Sequence, residues 1–223
     1  MQERYIRNMP ALSETECEIL RRKKAAVIGC GGLGGYIIEY MSRLGIGFIR
    51  AVDGDVFEDS NLNRQLLSGS GTIGKSKADA AKKRIADVNP EVEFEAVPVF
   101  LTEENAGTLI SGCDVVFDAL DNIESRRILA KACRKAGIPY IYGAIGSWVA
   151  QAAVSMPDDD LVEMLYPEGT VIRNKSVLPF TCALCASMQV SLAVKLLVGR
   201  KVDTGRIYYF DLLSQECETV DMN

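Results

Sequence analysis

The 223-residue chain contains no histidine. That absence excludes Ser-His-Asp and Cys-His catalysis, His-ligated zinc, and any imidazole acid, base or pH switch. Catalysis has to come from carboxylates, Lys, Arg, Cys, backbone amides or a metal ion. Long runs of like charge are missing too: 25 Lys and Arg are interspersed with 30 Asp and Glu, for a net charge of −5, and the longest basic run is Arg21-Arg22-Lys23-Lys24. With no larger basic cluster, nucleic acid is not expected as a main partner, because a phosphate backbone demands grouped cations. No apolar run approaches the roughly 20 residues needed to cross a bilayer, so no membrane association is expected. Residues 1–10 are polar with no apolar core, unlike a secretory signal, and a cytoplasmic location is the expectation.

Cysteine is present in odd number, at positions 17, 30, 113, 133, 182, 185 and 217. Such a set reads as free thiols rather than a disulfide framework. Cys182 and Cys185 form the single Cys-x-x-Cys pair. A structural zinc takes four ligands, so a closed zinc site within one subunit is not expected, and the pair reads as two small residues in a helix.

The length suits one α/β domain spanning 1–223. Ser13 and Glu16 form a capping-box pattern at the start of a helix over residues 12–24. A short apolar strand over 25–29 runs into Gly29-Cys30-Gly31-Gly32-Leu33-Gly34-Gly35. A helix over 33–44 and a strand over 48–53 complete a βαβ unit, which implies a parallel sheet with a right-handed crossover. Further helices are predicted over 76–88, 105–110, 124–136 and 181–198. Strands are predicted over 93–99, 115–119, 139–143, 150–155 and 206–210, with 217–220 pairing to the last. This alternation predicts a doubly wound, Rossmann-like, mainly parallel sheet in residues 1–155, with a C-terminal helix and antiparallel strands in 181–223. Residues 156–180 break the pattern and read as a surface excursion.

Glycines between a strand and a helix let backbone amides approach phosphates, so Gly29, Gly31, Gly32 and Gly34 point to a nucleotide without saying which. Asp53 lies where a carboxylate accepts from a ribose hydroxyl, and Asp55 either shares that task or caps the next turn. Asn61, Asn63, Arg64 and Gln65 follow. Arg64 offers a bidentate phosphate contact and Lys77 a point charge, whereas Lys75 reads as a solvated helix-start lysine. Asp118 and Asp121 follow the fourth strand, where a carboxylate can hold Mg²⁺ against a triphosphate; Asp121 could instead cap the next helix. An NAD(P)-dependent oxidoreductase would employ the glycines and Asp53 but leave Arg64, Lys77 and Asp121 idle. The segment Arg4-Tyr5-Ile6-Arg7-Asn8 alone reads as a solvated tail, and Trp148 as a buried apolar residue.

Taken together, these motifs resemble the MoeB/ThiF/HesA family, bacterial relatives of ubiquitin-activating enzymes. The resemblance rests on Arg-Tyr-Ile-Arg-Asn (4–8), the glycine run (29–35), Asp-Gly-Asp (53–55), Ser-Asn-Leu-Asn-Arg-Gln (60–65), Gly-Lys-Ser-Lys (74–77), Asn-Pro (89–90) and Asp-Ala-Leu-Asp-Asn (118–122). It implies an ATP-dependent adenylyltransferase that activates the C-terminal Gly-Gly of a small ubiquitin-like sulfur-carrier protein, or alternatively a small-molecule carboxylate. It further implies that Asp53 binds ribose, that Asn61, Arg64, Gln65 and Lys77 bind the phosphates, and that Asp121 holds Mg²⁺. Arg7 resembles an arginine that reaches into a partner subunit's site, which implies a homodimer. Many members carry two zinc-binding Cys-x-x-Cys pairs; here the first position reads Glu-Met-Leu-Tyr (163–166), so a zinc-free member is expected. Cys182 falls where some relatives place a cysteine that links covalently to the carrier, and it precedes a helix, whose N-terminus can lower a thiol pKa.

Overall fold

The protein is described here from a computed structural model that covers residues 3–171 and 176–222. Eight strands form one sheet in the order β3-β2-β1-β4-β5-β6-β7-β8. The strands are β1 (Lys24–Ile28), β2 (Phe48–Val52), β3 (Glu93–Val97), β4 (Val115–Asp118), β5 (Tyr140–Gly146), β6 (Val149–Ser155), β7 (Arg206–Asp211) and β8 (Glu216–Asp221). β3 through β5 run parallel, and β6, β7 and β8 add antiparallel. The doubly wound fold expected from the alternation is the one found. β1 carries four consecutive buried residues because it pairs on both edges, Ala25 facing Ile49 on one side and Val115 on the other. Strands covered on both faces read as unbroken apolar runs.

Helices cover the two faces. On one lie α1 (Glu14–Leu20), α2 (Gly34–Leu44), α3 (Lys77–Val88) and the long α7 (Pro179–Leu197). On the other lie α4 (Glu103–Ile110), α5 (Ile123–Ala136) and the short α6 (Leu161–Leu165). α2 and α5 each end in a glycine with positive φ, Gly45 and Gly137, whose amides return to the last turn. This C-cap geometry suits a residue without a Cβ. The chain leaves β1 toward β2 and β3, then restarts at β4 on β1's other edge. Crevices at such a reversal, beyond the carboxyl ends of the strands, are where open α/β sheets bind ligands.

Several expectations change. The capping box at Ser13 and Glu16 is formed, but α1 stops at Leu20 rather than near residue 24. Lys24 is instead drawn into β1, its amide donating to Asp114 Oδ2 while Asp114's amide donates to the Lys24 carbonyl. The segment 4–8 is no solvated tail. It forms a 3₁₀ helix (Glu3–Asn8) that buries Tyr5 against Gly45. Trp148 is 38% exposed rather than buried, because the β5–β6 turn at Ser147 (φ 53°) carries it to the rim, where it stacks on Phe180 at 5.1 Å. Within the excursion, α6 buries Leu161 and Val162, which pack on the α5 side of the sheet. Residues 172–175 of that excursion lie outside the described residues. α7 also corrects the reading of apolar runs: an 18-residue stretch of this 19-residue helix has a mean hydropathy of 1.6, enough by length and composition to cross a bilayer, yet half of that stretch is buried within the fold.

Asn89 locks the N-terminal segment to the sheet domain. Its side-chain amide donates to Tyr5 OH and to the Ser42 carbonyl, both at 2.7 Å, and its carbonyl accepts from Arg4. Asn89→Ala removes the buried donor to Tyr5 OH and the shorter of two donors to the Ser42 carbonyl, which keeps only the Gly45 amide at 3.2 Å. The expected loss is about 2 kcal/mol of unfolding free energy. Chemical denaturation of the purified variant checks it, and a change within 0.5 kcal/mol contradicts the assignment.

Candidate active site

The glycine loop is held by backbone contacts that side chains would destroy. Gly29 has φ of 100°, and a Cβ on it would sit 2.5 Å from the Ala119 carbonyl oxygen. A Cβ on Gly34 would lie 1.8 Å from the Gly29 carbonyl oxygen. The loop therefore folds tightly enough to bring β1, the β4 exit and the start of α2 together. Gly34 serves this packing, while Gly29, Gly31 and Gly32 line a cleft of about 760 Å³ at the β1/β4 reversal.

Asp53, at the end of β2, braces this loop. Its Oδ2 accepts from the Cys30 amide at 2.7 Å and its Oδ1 from the Asp55 amide at 2.8 Å. Burial raises its pKa, and the two amides and Lys77 oppose that rise. Asp55 pairs with Lys77 at 3.1 Å, which stations an otherwise buried ammonium group at the cleft wall. Lys75 does not line the cleft.

The segment after β2 turns through a 3₁₀ helix (Asp59–Asn61). Asn61 is consumed by this turn: its Oδ1 accepts from the Glu58 amide, and the residue sits behind the cleft wall rather than on it. The turn presents Arg64 and Gln65 to the cleft. Arg64 is anchored by Nη1 on the Ser60 carbonyl and on Asn63 Oδ1. Gln65 is 7% exposed, and its Oε1 has no hydrogen-bond partner. A buried polar atom left without a partner beside a cleft fits a group that awaits a ligand. Asn63 donates to the Val177 carbonyl and so links this turn to the approach to α7.

Asp118 and Asp121 have different fates. Asp118 is fully buried and cannot carry a metal at the surface of the cleft. Its carboxylate pairs with Arg126 at 2.5 Å and accepts from Tyr140 OH and the Leu120 amide. Asp121 is exposed and lines the cleft. The capping role open to it falls instead to Asn122, whose side chain accepts from the Ser125 amide. Among the described residues no cluster of three or more Cys, Asp or Glu is poised to hold a metal. An exposed carboxylate in a cleft that also holds Arg64 and Lys77 fits a Mg²⁺ that would take most of its ligands from phosphate oxygens and water, the usual mode for that ion.

Cys182 corrects a sequence expectation. It is fully buried, and a Cβ on Gly32 would meet its sulfur at 3.1 Å, so it packs beneath the glycine loop. Burial pushes its thiol up to about 11, with Arg64 only partly offsetting the rise. This is the opposite of an activated nucleophile. Cys185 is likewise buried, pushed up to about 12, and donates to the Gln151 carbonyl. Arg7 sits exposed on the N-terminal 3₁₀ helix and does not line its own chain's cleft.

Two residues at the site escaped sequence reading. Arg126 is a buried cleft-lining cation, with nothing in the charged stretch of α5 to single it out. Gln189 is fully buried, and its Nε2 donates to the Asp118 and Ile141 carbonyls. A lone glutamine in an otherwise apolar stretch of helix was a usable signal.

The sequence model of the ThiF family matches residues 3–223. The chain is 35% identical over 209 residues to the SAMP-activating enzyme E1 of Haloferax volcanii, covering 90% of this chain and 77% of that one. It is 34% identical over 231 residues to the probable adenylyltransferase/sulfurtransferase MoeZ of Mycobacterium tuberculosis, covering 97% of this chain and 59% of that one. In fold it matches the crystal structure of E. coli MccB with MccA-N7isoASN, with a TM-score of 0.86 at 19% identity, covering 100% of this chain and 73% of that one.

The buried thiols give a direct chemical test. In native protein at pH 8, a thiol reagent should label exposed Cys217 fast and Cys182 at least about 100-fold more slowly, because a thiol titrating near 11 is almost wholly protonated there. Peptide mapping of the labelled sites reads this out; rapid labelling of Cys182 would restore it as a nucleophile.

Proposed function

The chain belongs to the ThiF family, and from that premise we propose that it adenylates a carboxylate at the expense of ATP. The carboxylate is the C-terminal Gly-Gly of a small ubiquitin-like sulfur-carrier protein. One observation carries this reading: a single cleft is lined by Gly29, Gly31 and Gly32, by Arg64 and Lys77 and by Asp121, with no histidine in the chain. A carboxylate is already ionised at neutral pH, so no base has to take a proton from it. Its oxygen attacks the α-phosphorus, the bond to the bridging oxygen of the β-phosphate breaks, and pyrophosphate leaves. Such a reaction asks for alignment and for charge stabilisation on the phosphoryl oxygens.

In this reading the amides of Gly31 and Gly32 and the positive end of α2 receive phosphate oxygens. Arg64, Lys77 and Gln65 act on the same oxygens. Asp53 meets the ribose through the lone pairs its two amide partners leave free, with Asp55 keeping Lys77 in place. Asn61 contributes through the turn that aims Arg64. Asp121 would hold Mg²⁺, which neutralises charge on the departing pyrophosphate. Cys182 is a packing residue. The lone Cys-x-x-Cys pair, turned to core packing and to Gln151, supports a zinc-free member. The activities named for the Haloferax and Mycobacterium relatives, SAMP activation and adenylyl transfer, support the adenylation step. The position of Arg7, away from its own cleft, supports a homodimer in which each copy completes the other's site.

Carboxylate-dependent exchange of labelled pyrophosphate into ATP tests the reaction. Exchange is expected with a Gly-Gly carrier and should fall about 100-fold or more in Asp121→Ala and in Arg64→Ala. Exchange with small carboxylates alone would move the substrate to that class, and no exchange with either would overturn adenylation. Mixing two inactive variants tests the dimer. Random pairing of Arg7→Ala with Asp121→Ala subunits should restore about a quarter of wild-type activity, since half the dimers then hold one intact site. No recovery after subunit exchange would assign Arg7 elsewhere.

A further inference from the structure

The Leu120 peptide, immediately before Asp121, is gripped at both ends. Its N–H donates to Asp118 Oδ1 at 2.9 Å, and its carbonyl accepts from Arg126 Nη2 at 2.6 Å. The residue after Asp121, Asn122, is fixed as the cap of α5. The backbone of Asp121 is thus clamped on both sides, while among the described residues its carboxylate accepts a hydrogen bond from the Asn122 side-chain amide alone, at 3.3 Å. The clamp turns on Arg126. Its Nη1 also binds Asp118 at 2.5 Å and the Gly143 carbonyl at 2.8 Å, so one guanidinium ties β4, the β4–α5 turn and β5 together. Its Nε is buried with no partner, although the residue borders the cleft.

The same guanidinium lies 5.2 Å from the centre of the Tyr142 ring and 5.9 Å from that of Tyr166. Both are within range for a cation–π attraction, which strengthens away from water. The two hydroxyls meet at 2.7 Å. Tyr142 belongs to β5, but Tyr166 belongs to the excursion, directly after α6. That segment is fastened to α5 by Arg127, which donates to the Tyr166 carbonyl and pairs with Glu163, and by Arg134, which pairs with Asp160. The excursion therefore meets the metal-side turn through one aromatic contact.

We propose that Arg126 is a positioning residue that aims Asp121 at a phosphate-bound cation, and that Tyr166 couples this aim to the seating of the excursion. The inference rests on the adenylation reading, in which Asp121 meets Mg²⁺. It names a group that acts on the cation through Asp121, and gives the excursion an effect on cation affinity.

Calorimetric titration of ATP into the full chain, with and without Mg²⁺, tests this without any acceptor. In wild type, Mg²⁺ should tighten ATP binding, and Asp121→Ala should erase the gain. Arg126→Lys keeps the charge but loses the fork. It should leave Mg²⁺-free ATP affinity within about twofold and weaken the Mg²⁺ gain about tenfold, the usual range for a residue that orients a metal ligand. Tyr166→Phe removes one hydroxyl from a half-buried ring and keeps the fold, so it decides the matter if Arg126→Lys does not fold; its Mg²⁺ gain should fall two- to threefold. A purely structural role for Arg126 would weaken ATP binding equally with and without Mg²⁺, and would overturn the proposal. So would an unchanged Mg²⁺ gain in both variants beside a lost one in Asp121→Ala. ATP binding indifferent to Mg²⁺ in wild type would instead remove the adenylation reading itself.

Discussion

A negative charge buried at the end of β4 organises the whole neighbourhood of the cleft. Asp118 is fully buried, and burial opposes both its charge and that of Arg126 beside it. Arg126 nevertheless stays charged, held so by Asp118 at 2.5 Å. Removing one member of such a pair strands the other in the core, which typically costs 3–5 kcal/mol. Here the pair also sets geometry. Through it and the Asp118 carbonyl, β4, β5, α5, α7 and the β4–α5 turn all converge on one residue. A hydrophobic substitute of equal volume could fill that space but could not fix the direction in which the β4–α5 turn leaves the sheet.

How far the sequence could be read depended on whether the signal was local. The βαβ unit, the capping box at Ser13, the glycine ends of α2 and α5 and the β7–β8 hairpin were all legible, because each follows from neighbours in sequence. Arg64, Lys77 and Asp121 were legible as a group because they lie in the loops that leave the strands at the reversal. What stayed hidden depended on contacts far apart in the chain. Asp118 and Asp121 look alike in sequence and differ only because Arg126 and Tyr140 reach one and not the other. Tyr5 looked like part of a solvated tail because its partner, Asn89, is 84 residues away. Cys182 had a helix start in its favour, and only packing against Gly32 reveals the burial that outweighs the dipole.

The excursion shows how polar contacts can seat a segment that has little apolar surface of its own. α6 buries Leu161 and Val162 in the core and rests Leu165 partly buried against it. The rest of its hold comes from Arg127, Arg134 and the paired tyrosines. Exposed ion pairs of this kind contribute little each, typically under about 1 kcal/mol.

The brace between Asp53 and the Cys30 amide, together with the contact between Gly29 and Gly34, has a thermodynamic consequence. The loop is already in a shape no alternative side chain could share, so an incoming anion finds amides that need no ordering. Entropy that a floppy loop would lose on binding has been lost at folding instead. Association at this loop should therefore be governed by the exchange of water for backbone donors, leaving slow conformational gating to the parts of the cleft that lie farther along the chain.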